Sequence, residues 1–258
     1  MDLELTFTQY NIVYNAFSFT IAAMGATTIF LFLQRGQVAQ KYKGALAISG
    51  LVTLIALYHY WRIFESWGAA YTIEGGMALP TGEPFNDAYR YVDWLLTVPL
   101  LLIELILVMG LSSAETRAKA TRLGLLAAIM VILGYPGEIS QDAGTRWLWW
   151  FLAMIPFVWI VYELFVGLRQ AIDNQPAEVR GLVSAARWIT VVSWSFYPIV
   201  FIFPMIGLTG GTAYSAIQVG YSVADVVAKA FFGLFIYVIC ARKSELEFAR
   251  SGAQQPAS

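Results

Sequence analysis

Long apolar stretches follow one another with few interruptions from residue 9 to residue 241. A helix of about 20 apolar residues spans the hydrocarbon core of a bilayer. In lipid, every backbone N–H and C=O group must be hydrogen-bonded within the protein, so the stretches are expected to be helical. The sequence therefore predicts an all-α bundle of seven transmembrane helices, near residues 9–34, 44–69, 87–111, 120–139, 146–168, 182–207 and 214–241.

The composition supports a membrane protein and leaves little room for anything else. Hydrophobic residues make up 59% of the chain and charged residues 13%, whereas soluble domains carry about 25% charge. We expect one membrane domain over residues 1–241 and a polar, frayed cytoplasmic tail over residues 242–258. A net charge of −1 offers no basic surface for nucleic acid. The single cysteine, Cys240, excludes an intrachain disulfide and a cysteine metal site, and no metal is expected.

The predicted orientation comes from the lysine and arginine residues of the short loops, which favour the cytoplasmic side. The second loop, YTIEGGMALPTGEPFNDAY, has neither residue, and the sixth, GLTGGTAYS, has no charge at all. We therefore expect the N-terminus outside and the C-terminus in the cytoplasm. The basic residues fall in the odd loops and at the C-terminal end: Arg35, Lys41, Lys43, Arg117, Lys119, Arg122, Arg169, Arg180, Arg187, Arg242 and Lys243.

Charged residues inside the third predicted helix share one of its faces. Arg90, Asp93, Thr97, Leu101 and Glu104 are spaced by three or four residues. Eleven residues separate the two carboxylates, which places them about 16 Å apart along the axis. Snorkelling to water would explain Arg90, but the short side chains of Asp93 and Glu104 lie too deep for it. Ionisable residues inside a span are costly, and these two predict a proton relay across the membrane.

The seventh predicted helix carries Asp225 and Lys229, four residues apart in an apolar context. The pair fits a structural salt bridge. A buried lysine is also a candidate amine for a Schiff base, and Asp225 and Asp93 would then serve as counterions. Aromatic residues could form a flat slot for a long polyene carbonyl compound: Trp94, Trp149, Trp150, Trp194, Tyr197 and Phe201, with Pro198 between them.

Three motifs together point to a known family. RYVDWLLTVP followed by Glu104, DVVAK on the last helix and WSFYP on the sixth resemble the microbial (type 1) rhodopsins over almost the whole chain. The resemblance is to the light-driven proton pumps of the proteorhodopsin and xanthorhodopsin group. It implies an ion transporter rather than an enzyme, with all-trans retinal as cofactor. It also implies a multi-pass protein of the inner cell membrane and a homo-oligomer, from trimer to hexamer.

The resemblance also implies roles for individual residues. Lys229 would bind retinal as a protonated Schiff base, Asp93 would be counterion and proton acceptor, and Glu104 the cytoplasmic proton donor. Net transfer would be outward, as the Asp, Thr, Glu set suggests. Further roles fall to Asp225 as second counterion, Arg90 just outside it, Thr97 between the carboxylates, Tyr60 near the counterions, and His59, expected to bond Asp93 and tune its proton affinity. Retinal would be lined by Trp94, Leu101, Met130, Gly134, Trp150, Trp194, Tyr197, Pro198 and Phe201.

Departures from the family pattern qualify these expectations. Ile206 and Ile217 stand where related pumps carry the glutamate pair that releases the proton. Trp150 stands where some xanthorhodopsin-like pumps have the glycine that admits a carotenoid antenna, so no antenna is expected by that route. Leu101 matches the leucine of green-absorbing members.

Other functions stay open on the sequence alone. A photosensor with the same chromophore is the main alternative, although it would not need Glu104. A chloride or sodium pump would change the Asp, Thr, Glu set. A retinal-free transporter or receptor would use Asp225 and Lys229 as a structural bridge.

Overall fold

The structure, a computed structural model, describes residues 3–253. Over that range the chain forms a bundle of seven helical rods, which confirms the predicted fold class. The first four rods are α1 (Phe7–Gln34), α2 (Lys43–Ala70), α3 (Ala88–Leu107) and α4 (Ser113–Ile139). The fifth is α5 (Ala143–Tyr162), which continues through a π-helical turn (Glu163–Gly167) into the short α6 (Arg169–Asp173). The sixth is α7 (Ala177–Phe201), and the seventh joins α8 (Gly210–Asp225), a π-helical turn (Val226–Phe231) and α9 (Phe232–Ala253).

Five helical stretches in the described range are long and apolar enough to cross a membrane by length and composition. They are Phe7–Gln37, Gln40–Ala70, Ser113–Ile139, Ala143–Gly167 and Gly210–Arg250. The other two rods are α3 and α7. Helix α3 carries three charged residues, Arg90, Asp93 and Glu104, and α7 has charged residues in its first half. The charges that weaken the apolar signal of α3 are the ones that the sequence singles out as functional.

The bundle buries several charged side chains within an apolar core and exposes many large apolar side chains on its surface. Among the buried side chains are the four ionisable groups of the predicted relay, Asp93, Glu104, Asp225 and Lys229, each at most 1% exposed. Large apolar side chains such as Leu33 and Phe19 are more than 60% exposed. This distribution suits a lipid surround, because exposed apolar groups are stable there and charges must find partners within the protein.

A small antiparallel sheet closes one end of the bundle, in a segment where the sequence predicted only a loop. Its strands are β1 (Leu5–Thr6), β2 (Tyr71–Glu74) and β3 (Met77–Pro80), in the order β1-β3-β2. Gly75 and Gly76 form a two-residue turn with φ of 58° and 83°, a conformation that favours glycine. We call this end of the bundle the hairpin end, and the opposite end, with Arg35, Lys41 and Lys43, the basic end.

The C-terminal segment differs from expectation. Instead of fraying after Arg242, the last helix continues to Ala253, and Arg242 is paired with Glu245 at 2.7 Å. Lys243 is buried and donates to the backbone carbonyl of Val108 at 2.5 Å, so tertiary contacts extend past the apolar stretch. The division of the chain at residue 241 remains a prediction, and residues 254–258 of the predicted tail lie outside the described range.

Candidate functional site

A buried ionic centre joins the third and seventh rods. The Lys229 ammonium lies 2.9 Å from Asp225 Oδ1 and donates to Asp93 Oδ2. Lys229 itself is in the π-helical turn between α8 and α9, and π turns of this kind often mark functional positions in helices. Two carboxylates therefore share one lysine in a fully buried site.

The two carboxylates are held very differently. Asp225 Oδ2 accepts a hydrogen bond from the Tyr60 hydroxyl, and Asp225 Oδ1 accepts one from the Tyr197 hydroxyl, each at 2.7 Å. Both oxygens of Asp225 are thus bonded in addition to the lysine contact. Asp93 uses only Oδ2, and its Oδ1 has no hydrogen-bond partner within residues 3–253. Hydrogen bonds to a carboxylate favour its charged form, so Asp93 is the better placed of the two to accept a proton.

His59 lies beside this centre but does not make the expected bond. Its Nδ1 is 3.9 Å from Asp93 Oδ1, which is too long for a hydrogen bond, and 2.9 Å from the backbone carbonyl of Ile55. Because a carbonyl only accepts, Nδ1 carries the proton in this arrangement. The structure brings His59 next to Asp93, as the resemblance implies, but its Nδ1 is bonded to the intrahelical carbonyl, and a His59–Asp93 hydrogen bond stays a prediction.

Thr97 and Arg90 flank Asp93 on the same helix. The Thr97 hydroxyl donates to the Asp93 backbone carbonyl at 2.8 Å, so it stabilises the helix and does not reach the carboxylate. Arg90 is 2% exposed and pairs with Asp87 toward the hairpin end. Its guanidinium lies 5.2 Å from the centre of the Tyr221 ring. In the structure the ion-pair partner of Arg90 is thus Asp87, and not a carboxylate of the ionic centre.

Glu104 has entirely different surroundings. Its side chain is fully buried on α3, and its Oε2 accepts a hydrogen bond of 2.5 Å from the Ser49 hydroxyl of α2. Its Oε1 has no partner in the described part of the chain, and no basic side chain is paired with it. An isolated buried carboxyl is far more stable neutral than charged, so Glu104 is suited to holding a proton.

An apolar cavity runs from the ionic centre between the rods. Asp225 and Lys229 form its polar end, and the rest of the wall is aromatic and aliphatic. The Trp94 and Tyr197 rings lie 5.0 Å apart between centroids, and the Trp150 indole donates to the Pro198 carbonyl at 2.9 Å. Trp149, which the sequence also placed in the aromatic slot, is not part of this wall and lies beside Gly137. The structure does bring together on the wall the nine residues that the resemblance assigned to it: Trp94, Leu101, Met130, Gly134, Trp150, Trp194, Tyr197, Pro198 and Phe201.

Several wall and partner residues could not be found from the sequence. The cavity is also lined by Tyr91, Val98, Val131, Ala153, Met154, Phe157, Tyr221 and Ala228. Tyr91 is 3.3 Å from the position that a Cβ on Gly134 would take, so the glycine keeps room beside that ring. Tyr91 and Ser49 carry no sequence signal, because their roles depend on which helices are neighbours.

The side chains of the described residues do not form a metal site. Within the described residues, no group of three or more His, Cys, Asp or Glu side chains is arranged to hold a metal ion. The cavity instead suits a long apolar ligand that ends in a group able to react or pair with an amine.

Comparison with known proteins gives a consistent result. The sequence profile of the family described as bacteriorhodopsin-like protein matches residues 13–242. The green-light absorbing proteorhodopsin of Gamma-proteobacterium EBAC31A08 is 32% identical over 230 residues, which cover 89% of this chain and 86% of the relative. The bacteriorhodopsin of Halobacterium salinarum is 29% identical over 242 residues, covering 92% and 85%.

Solved structures agree more closely still. The crystallographic structure of xanthorhodopsin, described as a light-driven ion pump with dual chromophore, is 52% identical and has a TM-score of 0.93. It covers 96% of this chain and 99% of that one. A thermophilic rhodopsin is 46% identical with the same coverage and a TM-score of 0.93.

Proposed function

The chain belongs to the bacteriorhodopsin-like family of microbial rhodopsins, and we propose that it is a light-driven outward proton pump with all-trans retinal bound to Lys229 as a protonated Schiff base. As a member of this family it is a multi-pass protein of the cell membrane and an ion transporter rather than an enzyme. The observation that carries the proposal is the unequal bonding of the two carboxylates at Lys229. Both oxygens of Asp225 accept hydrogen bonds from tyrosine hydroxyls, whereas Oδ1 of Asp93 has no hydrogen-bond partner within residues 3–253.

The cavity and the lysine support retinal as the cofactor. The wall is apolar along its length and ends at the Lys229 amine, which can condense with an aldehyde and release water. When bound, retinal would supply light absorption and a change of shape next to the lysine nitrogen. Trp94, Trp194 and Tyr197 would restrict that change of shape by packing against the chain of the cofactor.

Asp93 would receive the proton from the Lys229 nitrogen. The two groups are already in hydrogen-bond contact, so the transfer needs no rearrangement of the backbone. Asp225 would stay charged, because the hydroxyls of Tyr60 and Tyr197 both donate to it. A charged Asp225 balances the lysine when the proton returns.

Glu104 would supply the next proton. It lies three helical turns from Asp93, about 16 Å along α3 toward the basic end. Its burial keeps it protonated until the lysine nitrogen needs a proton, and Ser49 holds its carboxyl group in place. Because the acceptor lies toward the hairpin end and the donor toward the basic end, each cycle would move one proton from the basic side to the hairpin side. If the basic loops face the cytoplasm, the transfer is outward.

Further details belong to the same proposal. Leu101 lines the cavity, as in the green-absorbing members that it resembles, and we expect green absorption. Trp150 also lines it and bonds to Pro198, so a carotenoid antenna would have no gap at this position. Its relative xanthorhodopsin carries two chromophores, which makes this a point to test by adding carotenoid to the purified protein.

The direct test is light-driven pH change in cells that express the chain with all-trans retinal. Acidification of the medium that is abolished by a protonophore and by Lys229→Ala would support an outward pump. A coloured protein without a pH change would favour the photosensor. Colourless cells would contradict retinal binding, and Lys229 with Asp225 would then be a structural ion pair.

A further inference from the structure

A second cavity, with a more polar lining than the apolar cavity at Lys229, opens at the hairpin end of the bundle. The two cavities are neighbours. Tyr221 and Phe201 line both cavities and so form the wall between them. The remaining lining comes from the hairpin end of α2, β2 and β3, from the segment 82–88, and from the ends of α4, α5, α7 and α8 with the residues that follow α4 and α7. We call this space the vestibule.

Three carboxylates line the vestibule, and the mechanism above uses none of them. Glu83 is exposed, whereas Asp87 and Glu138 are half-buried. Asp87 precedes α3 and pairs with Arg90, while Glu138 is at the end of α4, with Oε2 3.9 Å from Arg146 Nη2. Asp87 and Glu138 both line this one cavity, from two different elements. Asp87, Arg90 and Asp93 are three residues apart in sequence, so each step between them along the α3 axis is about 4.5 Å.

Buried polar atoms that lack partners also face this region. Gln218 lines the vestibule at 2% exposure, and its Oε1 has no hydrogen-bond partner within residues 3–253. The Arg90 Nε and Nη2 atoms are likewise without partners in that range. Buried polar groups of this kind bind water, and water chains between carboxylates conduct protons.

We propose that the vestibule is the exit path of the pumped proton, and that Asp87 and Glu138 are its relay. This inference rests on the proposed pumping function. A proton that leaves the Asp93 carboxyl would be taken up by one of the two carboxylates, which then loses it to the medium, so each group ends the cycle as it began. The pair would do the work that Ile206 and Ile217 cannot do. Other titratable or charged groups that act on the pair are Arg90 and Tyr91 of α3, Arg146 of α5, Tyr71 of β2, and Tyr214 and Tyr221 of α8.

The test is flash excitation of the purified full chain with all-trans retinal in lipid nanodiscs. A pH-indicator dye would report protons in the medium, and visible absorbance would report loss and return of the proton on the Lys229 nitrogen. In Glu138→Gln and in the double variant with Asp87→Asn, we expect the dye signal to be delayed about 100-fold, as loss of a proton-transfer group implies. The absorbance step for loss of the lysine proton should keep its wild-type rate, which a general structural defect would not allow.

The controls separate this inference from the proposed function. Glu74→Gln removes an exposed carboxylate of β2 that does not line the vestibule, and it should leave the dye signal unchanged. Glu138→Asp should restore most of the rate, because it keeps a carboxyl group. An unchanged dye signal in Glu138→Gln and in the double variant would overturn the relay while leaving the pump intact. If the double variant with Asp87→Asn does not fold, the dye signal of Glu138→Gln alone tests the relay. A wild-type protein that transports no protons would overturn the proposed function and the relay with it.

Discussion

Two carboxylates on one face of α3 have opposite environments. Asp93 lies among charges, with Lys229 in contact and Asp225 on the other side of that lysine. Glu104 lies in an apolar region, with the Ser49 hydroxyl as its hydrogen-bond donor. The same chemical group is therefore suited to accepting a proton at one position and to donating one at the other. A positively charged partner favours the ionised carboxylate, whereas apolar burial favours the protonated carboxyl group. This difference between the two ends of α3 gives the proton a direction.

The largest effect is expected from removing the acceptor. Asp93→Asn keeps the shape of the side chain but cannot take a proton from Lys229, so the rate of light-driven acidification per bound chromophore should fall about 100-fold or more. Asp173→Asn is a matched control, because Asp173 is an exposed carboxylate paired with Arg169 at 3.8 Å. A pump rate above half of wild type in Asp93→Asn would contradict the assignment.

Removing the donor should affect a different step. In Glu104→Gln, loss of the proton from the Lys229 nitrogen should proceed at the wild-type rate, and its return should slow about 100-fold. Time-resolved visible absorbance separates the two steps in one record. If the return rate does not change, another group supplies the proton, and the assignment of Glu104 as the donor is contradicted.

Much of this contrast could be predicted from the sequence, because it depends on spacing within single helices. The steps of three and four residues place Asp93 and Glu104 on one face, and four residues bring Asp225 to Lys229. The aromatic wall was also predicted residue by residue, but through resemblance to a family rather than through spacing.

Contacts between helices could not be predicted in the same way. The hydrogen bond of Ser49 to Glu104 joins residues 55 positions apart. Spacing also does not show that the Nδ1 of His59, 3.9 Å from Asp93, is bonded to a carbonyl four residues back in its own helix. The helical continuation to Ala253 could not be read from the apolar span, which stops at residue 241, because it depends on contacts such as that of Lys243 with Val108.

A smaller effect is expected from Ser49→Ala. Glu104 would lose its hydrogen-bond donor without losing its carboxyl group, at a cost of about 1–3 kcal/mol. The return of the proton to Lys229 should change severalfold, less than in Glu104→Gln. Ser193→Ala is the matched control, because that buried hydroxyl bonds to the backbone of its own helix at 2.7 Å. Equal rates in Ser49→Ala and wild type would show that the serine does not position the donor.

The smallest effect concerns a carboxylate that lies in neither environment. Asp142 caps α5 from an exposed position, and hydrogen bonds from the backbone N–H and the hydroxyl of Thr145 lower its pKa. A lowered pKa in the folded state means that the charged form stabilises the fold above about pH 4, and that this contribution is lost as the pH falls further.

Asp142→Ala should therefore lower the Tm of the coloured protein slightly at pH 7, and the difference from wild type should shrink at pH 3. Asp142→Asn, which keeps a capping oxygen, should lower it less. Proton transport should be unaffected in both variants. A Tm difference that grows in acid would contradict the assigned direction of the pKa shift.

The measurement that tests the central claim most directly is light-induced infrared difference spectroscopy of the carboxyl stretching band, which identifies the aspartate that takes the proton. Asp93→Glu and Asp225→Glu each keep a carboxyl group while shifting its band. The account predicts that the band that appears when the Lys229 nitrogen loses its proton moves in Asp93→Glu and stays in place in Asp225→Glu. A band that moves only in Asp225→Glu would show that the fully hydrogen-bonded carboxylate is the acceptor, and would contradict the account.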